Sequence, residues 1–223
     1  MRRGLAAALL GLTGLLAACT STVAGNGTIA ADAAKPSGAR PASPTPKPSA
    51  GSPGSSPGRR GALKCSGRVI SPTGAPYCFS TPAGFQDVSS SVTVDASIGR
   101  EKYRSAVAVA DRDLIIVTVY ELPVDTDGVT DAALEGELKK VIGQLSRQGF
   151  SFESTSADRG TVDGARSFQY HASQARTDLE SDVYFLFRGR NEIQVNCQWR
   201  NKQDQIVRGC ESVLDTLQFK SVK

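Results

Sequence analysis

The stretch Leu114-Ile115-Ile116-Val117-Thr118-Val119-Tyr120 is apolar or β-branched from end to end. Successive side chains of a strand point to opposite faces, so such a run leaves no face for water. It reads as a central strand covered on both sides. A chain that contains it has to build layers on both faces of one sheet, and other segments must supply them.

Two segments have the right spacing. Thr130 can cap a helix over 131–148, in which Leu134, Leu138, Val141, Ile142 and Leu145 share a face and after which Gly149 stops the helix. A closing helix over 202–217 puts Ile206, Val207, Cys210, Val213, Leu214 and Leu217 together. The remaining regular structure reads as strands. Segments 68–70 and 77–80 form a hairpin, and Thr81-Pro82-Ala83-Gly84-Phe85 is a turn that delivers an aromatic ring to the core. Strands are expected at 91–98, 103–110 and 114–122, the last two separated by Asp111-Arg112-Asp113. Four more are expected at 151–155, 166–172, 182–187 and 192–199. In 182–187, Val183, Phe185 and Phe187 alternate with Tyr184 and Leu186, and 188–191 is a tight turn into the last strand. The fold class is α+β, an antiparallel β-sheet with packed helices.

The folded part begins near Leu63. Met1-Arg2-Arg3 is a basic start, and 5–16 is an apolar run too short to span a bilayer, which needs about 20 residues. It ends in Leu16-Ala17-Ala18-Cys19, which looks like the lipobox of bacterial lipoproteins. That likeness implies removal of 1–18, a diacylglyceryl group on the Cys19 thiol, and anchoring at the extracytoplasmic face of the cell membrane. Two acyl chains of roughly 16 carbons, at about 0.8 kcal/mol per buried CH₂, would hold the protein there durably. Residues 19–62 are rich in Pro, Ser, Gly, Ala and Thr and read as a disordered linker, with a coil dimension on the order of 35 Å. Asn26-Gly27-Thr28 within it matches a glycosylation sequon. The globular domain is expected at 63–223.

The whole chain carries a net charge of +4, but this is not a property of the domain. Arg2 and Arg3 leave with the signal, and Lys35, Arg40, Lys47, Arg59 and Arg60 belong to the linker. The domain itself is mildly acidic, which argues against nucleic acid as a partner. The basic linker beside the lipid favours anionic head groups by up to ~1 kcal/mol per charge.

The chain has five cysteines. With Cys19 lipidated, Cys65, Cys78, Cys197 and Cys210 remain, an even number in an exported protein. Three pairings are open. Proximity in sequence selects Cys65–Cys78, around the turn Ser71-Pro72-Thr73-Gly74, and Cys197–Cys210, which would staple the closing helix to the strand before it. Each bond would add roughly 3 kcal/mol.

Tyr77-Cys78-Phe79 leading to Pro82-Ala83-Gly84-Phe85, Val162-Asp163-Gly164-Ala165, and Leu214-Asp215-Thr216-Leu217-Gln218-Phe219 carry a family resemblance. With this order of elements, the chain resembles the actinobacterial LpqN/LpqT-type lipoproteins, with the α/β/α sandwich of the photosystem II extrinsic protein PsbP. The resemblance covers most of 75–220 and implies a non-enzymatic envelope protein. It transfers no site residues, and the N-terminal hairpin with its disulfide has no place in the pattern.

Motifs of chemistry are sparse. His171 is the only histidine and lies in a strand alternation after Phe168 and Tyr170. There is no Gly-x-Ser-x-Gly, Ser-x-x-Lys, Cys-x-x-Cys or phosphate-binding glycine loop. Asp125, Asp127 and Asp131 do not fit a calcium loop, because setting Gly128 as its glycine puts Pro123 and Leu134 at the ligand ends. Turn and cap roles account for them. Catalytic, cofactor and metal residues are therefore none. Trp199, Tyr184, Phe185 and Phe187 lie on adjacent strands and could floor a cleft for a small ligand or peptide, although strand aromatics are usually core. The expected function is a lipid-anchored binding or interaction module for an envelope protein or small ligand. The alternatives are an envelope hydrolase using His171 with Asp178 or Glu180, and a carrier of lipid or another small molecule.

Overall fold

A computed structural model describes residues 27–29, 63–94 and 101–220. Cys19 and the signal segment lie outside the described residues, as do most of the linker and part of the strand expected at 91–98. The element order is β1 (Gly27–Ile29), β2 (Val69–Ile70), β3 (Tyr77–Ser80), β4 (Gln86–Asp87), β5 (Val92–Val94), β6 (Glu101–Ala110) and β7 (Asp113–Glu121). Then come α1 (Asp131–Arg147), β8 (Ser151–Phe152), β9 (Asp158–Val162), β10 (Ala165–Gln174), β11 (Leu179–Arg188), β12 (Asn191–Trp199), α2 (Gln203–Thr216) and β13 (Gln218–Phe219).

The main sheet runs β4-β6-β7-β12-β11-β10-β8, with β9 also paired to β10, and all its pairings are antiparallel. The apolar run lies in β7, between β6 and β12, and every residue from Asp113 to Tyr120 is buried. Its odd residues Ile115, Val117 and Val119 face the α2 layer, where Ile206, Cys210, Val213 and Leu217 meet them. That layer is completed by a small sheet of β2, β3 and β13, which contributes Tyr77, Phe79 and Phe219. Gly84, at φ +81°, turns Phe85 into it, and the ring lies directly over Gly209 of α2. A Cβ at Gly209 would lie 2.3 Å from Phe85 Cζ, so the helix approaches the ring only because that side chain is missing.

The opposite face carries α1. Thr130 Oγ1 accepts from the Ala133 N–H, and Phe150 N–H returns to the Leu145 carbonyl just after the helix. Leu134, Leu138, Val141, Ile142 and Leu145 are buried on Phe168, Tyr170, Val183, Phe185 and Phe187. Edge-on ring pairs, Phe168–Phe187 at 5.8 Å and Tyr170–Phe185 at 5.9 Å, fill this layer. Cys65 is bonded to Cys78 and Cys197 to Cys210, with Cα separations of 6.1 and 5.9 Å. The second bond ties β12 to α2.

Several elements differ from the sequence expectation. Within the stretch read as linker, Gly27–Ile29 forms an antiparallel pair with Val92–Val94. Its β-branched Thr28 and Ile29 suit an edge strand, and β5 offers a free edge. β9 and β13 were not expected. β9, Asp158-Arg159-Gly160-Thr161-Val162, has no alternation of its own and exists through its ladder with β10. The connection is Asp163-Gly164, both left-handed at φ 46° and 75°, as a type I′ hairpin turn requires. No helix among the described residues is long and apolar enough to cross a membrane.

Candidate functional site

Directly opposed residues of neighbouring strands share a face, so the register locates every side chain. Opposite the α2 layer, β12 presents Glu192, Gln194, Asn196 and Gln198 beside Phe187, Phe185, Val183 and Ser181 of β11. On its other side, β7 presents Tyr120, Thr118, Ile116 and Leu114 in the same rows. β6 continues the rows with Glu101, Arg104, Ala106 and Ala108, its register shifting between Glu101 and Tyr103. A polar stripe therefore crosses the middle of a sheet face. The aromatic rings of β10 and β11 under α1 bound it on one side, and Val88, Val92, Ala106, Ala108, Leu114 and Ile116 bound it on the other.

The stripe is not solvated. Glu192, Gln194, Asn196, Gln198, Thr118 and Tyr120 are each at most 4 % exposed. Some of its groups are paired. Gln194 Nε2 donates to Glu192 Oε1 at 2.6 Å, Gln198 Nε2 donates to the Arg112 carbonyl at 3.1 Å, and Arg104 pairs with Glu101 while donating to the Val92 carbonyl at 3.3 Å. Five buried atoms have no hydrogen-bond partner among the described residues: Arg104 Nε, Thr118 Oγ1, Tyr120 Oη, Glu192 Oε2 and Asn196 Oδ1. Tyr170 Oη, two strands away on the same face, is a sixth. Leaving a buried polar atom unpaired costs about 1–3 kcal/mol. Five together rival the roughly 5–15 kcal/mol by which a domain is stable at all.

Burial also sets the electrostatics. Desolvation pushes the Glu192 carboxyl up to about 8, against the opposing hydrogen bond from Gln194, so this group is neutral at pH 7. Burial raises the Tyr120 phenol above its ordinary range, with Glu101 and Glu192 adding to the rise. The stripe thus combines one ion pair, Arg104 with Glu101, with neutral groups that can donate or accept.

None of the candidate site residues named from the sequence lies in this stripe, although Thr118 and Tyr120 belong to the apolar run of β7. The expected aromatic floor is corrected: Phe185 and Phe187 pack under α1, whereas Tyr184 and Trp199 lie on the α2 side. Side-chain alternation places neighbouring residues of one strand on opposite faces, so the four cannot line one cleft. His171 is on the α2 side, partly exposed, with Nδ1 2.9 Å from Asp182 Oδ1 and its ring 5.7 Å from that of Trp199. The carboxylates proposed to work with it are also corrected. Asp178 faces Arg200 at 3.6 Å, and Glu180 accepts from Trp199 Nε1 at 3.2 Å. Asp182 is the residue directly across the ladder from His171 and takes their place. Asp125 Oδ1 accepts from the Asp127 N–H within its own turn, Asp127 Oδ1 accepts from the Gly189 N–H in the turn between β11 and β12, and Asp131 pairs with Arg166 from the first turn of α1, where Thr130 is the cap. Among the described residues, no group of three His, Cys, Asp or Glu could hold a metal ion.

The fold and the stripe define an α+β domain: an antiparallel sheet with a helix on each face and a buried polar band on one of them. No family model matches the chain, and no curated protein matches it in sequence. Among solved structures, it is similar to the cyanobacterial PsbP (CyanoP) of Synechocystis sp. PCC 6803, determined in solution. The identity is 16 % and the TM-score 0.47, over 74 % of this chain and 98 % of that one. The architecture given above rests on the strands and helices themselves, and this likeness adds no site to it.

Proposed function

We propose that this chain is a lipid-anchored protein of the cell envelope, of the LpqN/LpqT type, whose domain is a non-enzymatic module that binds a small polar ligand on the stripe. The observation that supports binding is the row of buried, unpaired polar atoms on β6, β7 and β12. The support for anchoring is Leu16-Ala17-Ala18-Cys19, and the support for the family is the set of short motifs given above.

The hydrolase reading has one observation in its favour, the His171–Asp182 hydrogen bond. The other ring nitrogen of His171 faces the Glu153 carboxylate at 3.9 Å, an anion rather than a hydroxyl that it could activate. Binding therefore remains the better reading.

Native mass spectrometry of the protein extracted from the membranes of a cell that makes it tests the proposal. The expected species begins at Cys19, carries acyl mass, and holds a small molecule that leaves on denaturation. A chain without acyl mass removes the anchor, and a chain without any adduct counts against the binding module. Loss of the adduct in His171→Ala, with the stripe intact, would favour the hydrolase.

A further inference from the structure

We propose that β1 is a clasp that sets how far the domain stands from its membrane anchor. Closed on β5, it leaves an arm of eight residues from Cys19 to Gly27; open, it leaves the 44 residues from Cys19 to Leu63. This inference rests on the lipid anchor of the reading above and on no ligand.

The sequence between anchor and domain is not uniform. Residues 20–35 contain no proline, whereas 36–57 contain seven of the eleven in the chain. Proline has no N–H to give to a ladder, so the first part is the one suited to adding a strand. Within 20–62, Ile29 is also the only residue of the set Ile, Leu, Met, Phe, Tyr and Trp. The structure pairs this place with the domain: Gly27, Thr28 and Ile29 lie opposite Val94, Thr93 and Val92.

β5 is in turn held to the main sheet. Val92 is buried in one cluster with Ala106, Ala108, Leu114 and Ile116 of β6 and β7. Its carbonyl accepts from Arg104 Nη1 at 3.3 Å, and its N–H donates to the Val88 carbonyl at 3.1 Å. The Val88 N–H donates to the Ala106 carbonyl of β6 at 2.9 Å. A strand paired with β5 is therefore attached to the β6 side of the sheet. With the clasp open, the attachment moves to Lys64, whose N–H donates to Gln218 Oε1 at 2.7 Å, and to Cys65, bonded to Cys78.

Reach follows from the residue counts. A chain spans at most about 3.5 Å per residue, so the arm reaches at most about 28 Å when the clasp is closed and about 150 Å when it is open. For random chains of these two lengths, the r.m.s. spans are about 16 Å and 35 Å. The closed clasp thus keeps the β6 side of the domain next to the bilayer. Three ladder rows that close a 63-residue loop, from Ile29 to Val92, make a short and reversible pairing. A partner that engages the domain beyond the short arm's reach has to open the clasp, so clasp and partner oppose each other to the same degree.

The test is hydrogen exchange and neutron reflectometry on the acylated full chain in a supported bilayer of phosphatidylglycerol and phosphatidylethanolamine. Successive N–H groups of a strand alternate in direction, so Thr28→Pro and Ile29→Pro together remove whichever one bonds β5. Thr45→Pro, among the prolines of the second part, is the control. Circular dichroism establishes that both variants are folded. In the double variant, the slowest amide of 92–94 should exchange at least tenfold faster than in the parent, and the domain should move outward by about 20 Å. Thr45→Pro should match the parent in both readouts. Unchanged exchange in the double variant overturns the pairing. Faster exchange without outward movement overturns the role in reach. A chain that carries no acyl mass removes the anchor and the clasp's effect on reach, while the exchange difference persists, which tells the two failures apart.

Discussion

The two faces of the main sheet treat buried polar groups differently. On the α2 side, such groups find partners. Tyr77 Oη is 2.8 Å from Ser105 Oγ, and Asp113 Oδ1 accepts from the Arg200, Asn201 and Lys202 N–H groups at 2.8–2.9 Å, just before α2 begins. On the α1 side, between two apolar clusters, a row of polar atoms is buried with partners missing. The same chain and the same strands produce both. The unpaired row is therefore not a general weakness of packing but a property of one face.

The largest expected effect lies at Glu192. Its folded-state value, about 8, is above the ordinary 4.5, so the folded chain holds a proton there that the unfolded chain has released. Between those values, stability falls as pH rises, by about 1 kcal/mol per pH unit, or on the order of 3 kcal/mol from pH 5 to 8. Below about 4.5 both states are protonated and the effect is absent. Glu192→Gln keeps an acceptor for Gln194 and removes the titration. Urea unfolding at pH 5, 6.5 and 8 should show this variant gaining on the parent steadily with pH. Parallel curves would mean that Glu192 reaches water and that the two faces are less different than described.

The staple on the other face comes next. Replacing Cys197 and Cys210 together by Ala opens a bond between residues 13 apart in sequence and should lower stability by ~3 kcal/mol, plus some lost packing since both are buried. The same change at Cys65 and Cys78 should cost less, because Cys65 is only partly buried. Chemical denaturation of the two double variants side by side reads this difference.

Glycine substitutions separate the two helices by sign. Gly209→Ala in α2 drives a methyl into Phe85 and, 3.2 Å away, towards Ile115 Cδ1; it should destabilise by about 2 kcal/mol through overpacking. Gly136→Ala in α1 meets nothing within 4 Å and should stabilise by up to ~1 kcal/mol through helix propensity. Thermal melts of both variants, each with a shift in the opposite direction, would show that only α2 is pressed against the sheet at a bare backbone position.

Much of this architecture is legible in local pattern. The β7 run, the buried face of α1 and the two close cysteine pairs each announce their own environment. Other features depend on neighbours. Asp158–Val162 carries one apolar side chain, and only its ladder to β10 makes it a strand; the Asp163-Gly164 turn was the available signal. The stripe is subtler. Glu192-Ile193-Gln194-Val195-Asn196-Cys197-Gln198-Trp199 has the alternation of a strand with one face in water. Pairing with β7 on one side and β11 on the other places it in the centre instead. A strand covered on both faces implies that its immediate neighbours are covered too. That inference from β7 is what turns four polar residues from a solvated edge into a buried band.

Thr118 offers the smallest effect and the most discriminating comparison. It sits in β7 at 1 % exposure, with Oγ1 unpaired, directly across the ladder from Gln194. Valine has nearly the same shape and no hydroxyl. Thr118→Val thus removes a polar atom whose burial is not compensated, and it should stabilise the ligand-free protein by about 1 kcal/mol. Ser105→Ala is its counterpart on the α2 side. There the lost hydroxyl strands Tyr77 Oη in the core, so a loss of about 1–2 kcal/mol is expected. Urea titrations of both variants at pH 5 avoid ionisation of Glu192. Opposite signs mean that the chain satisfies the polar groups of one face and leaves those of the other unpaired. A loss in Thr118→Val as large as in Ser105→Ala would make the stripe ordinary polar core.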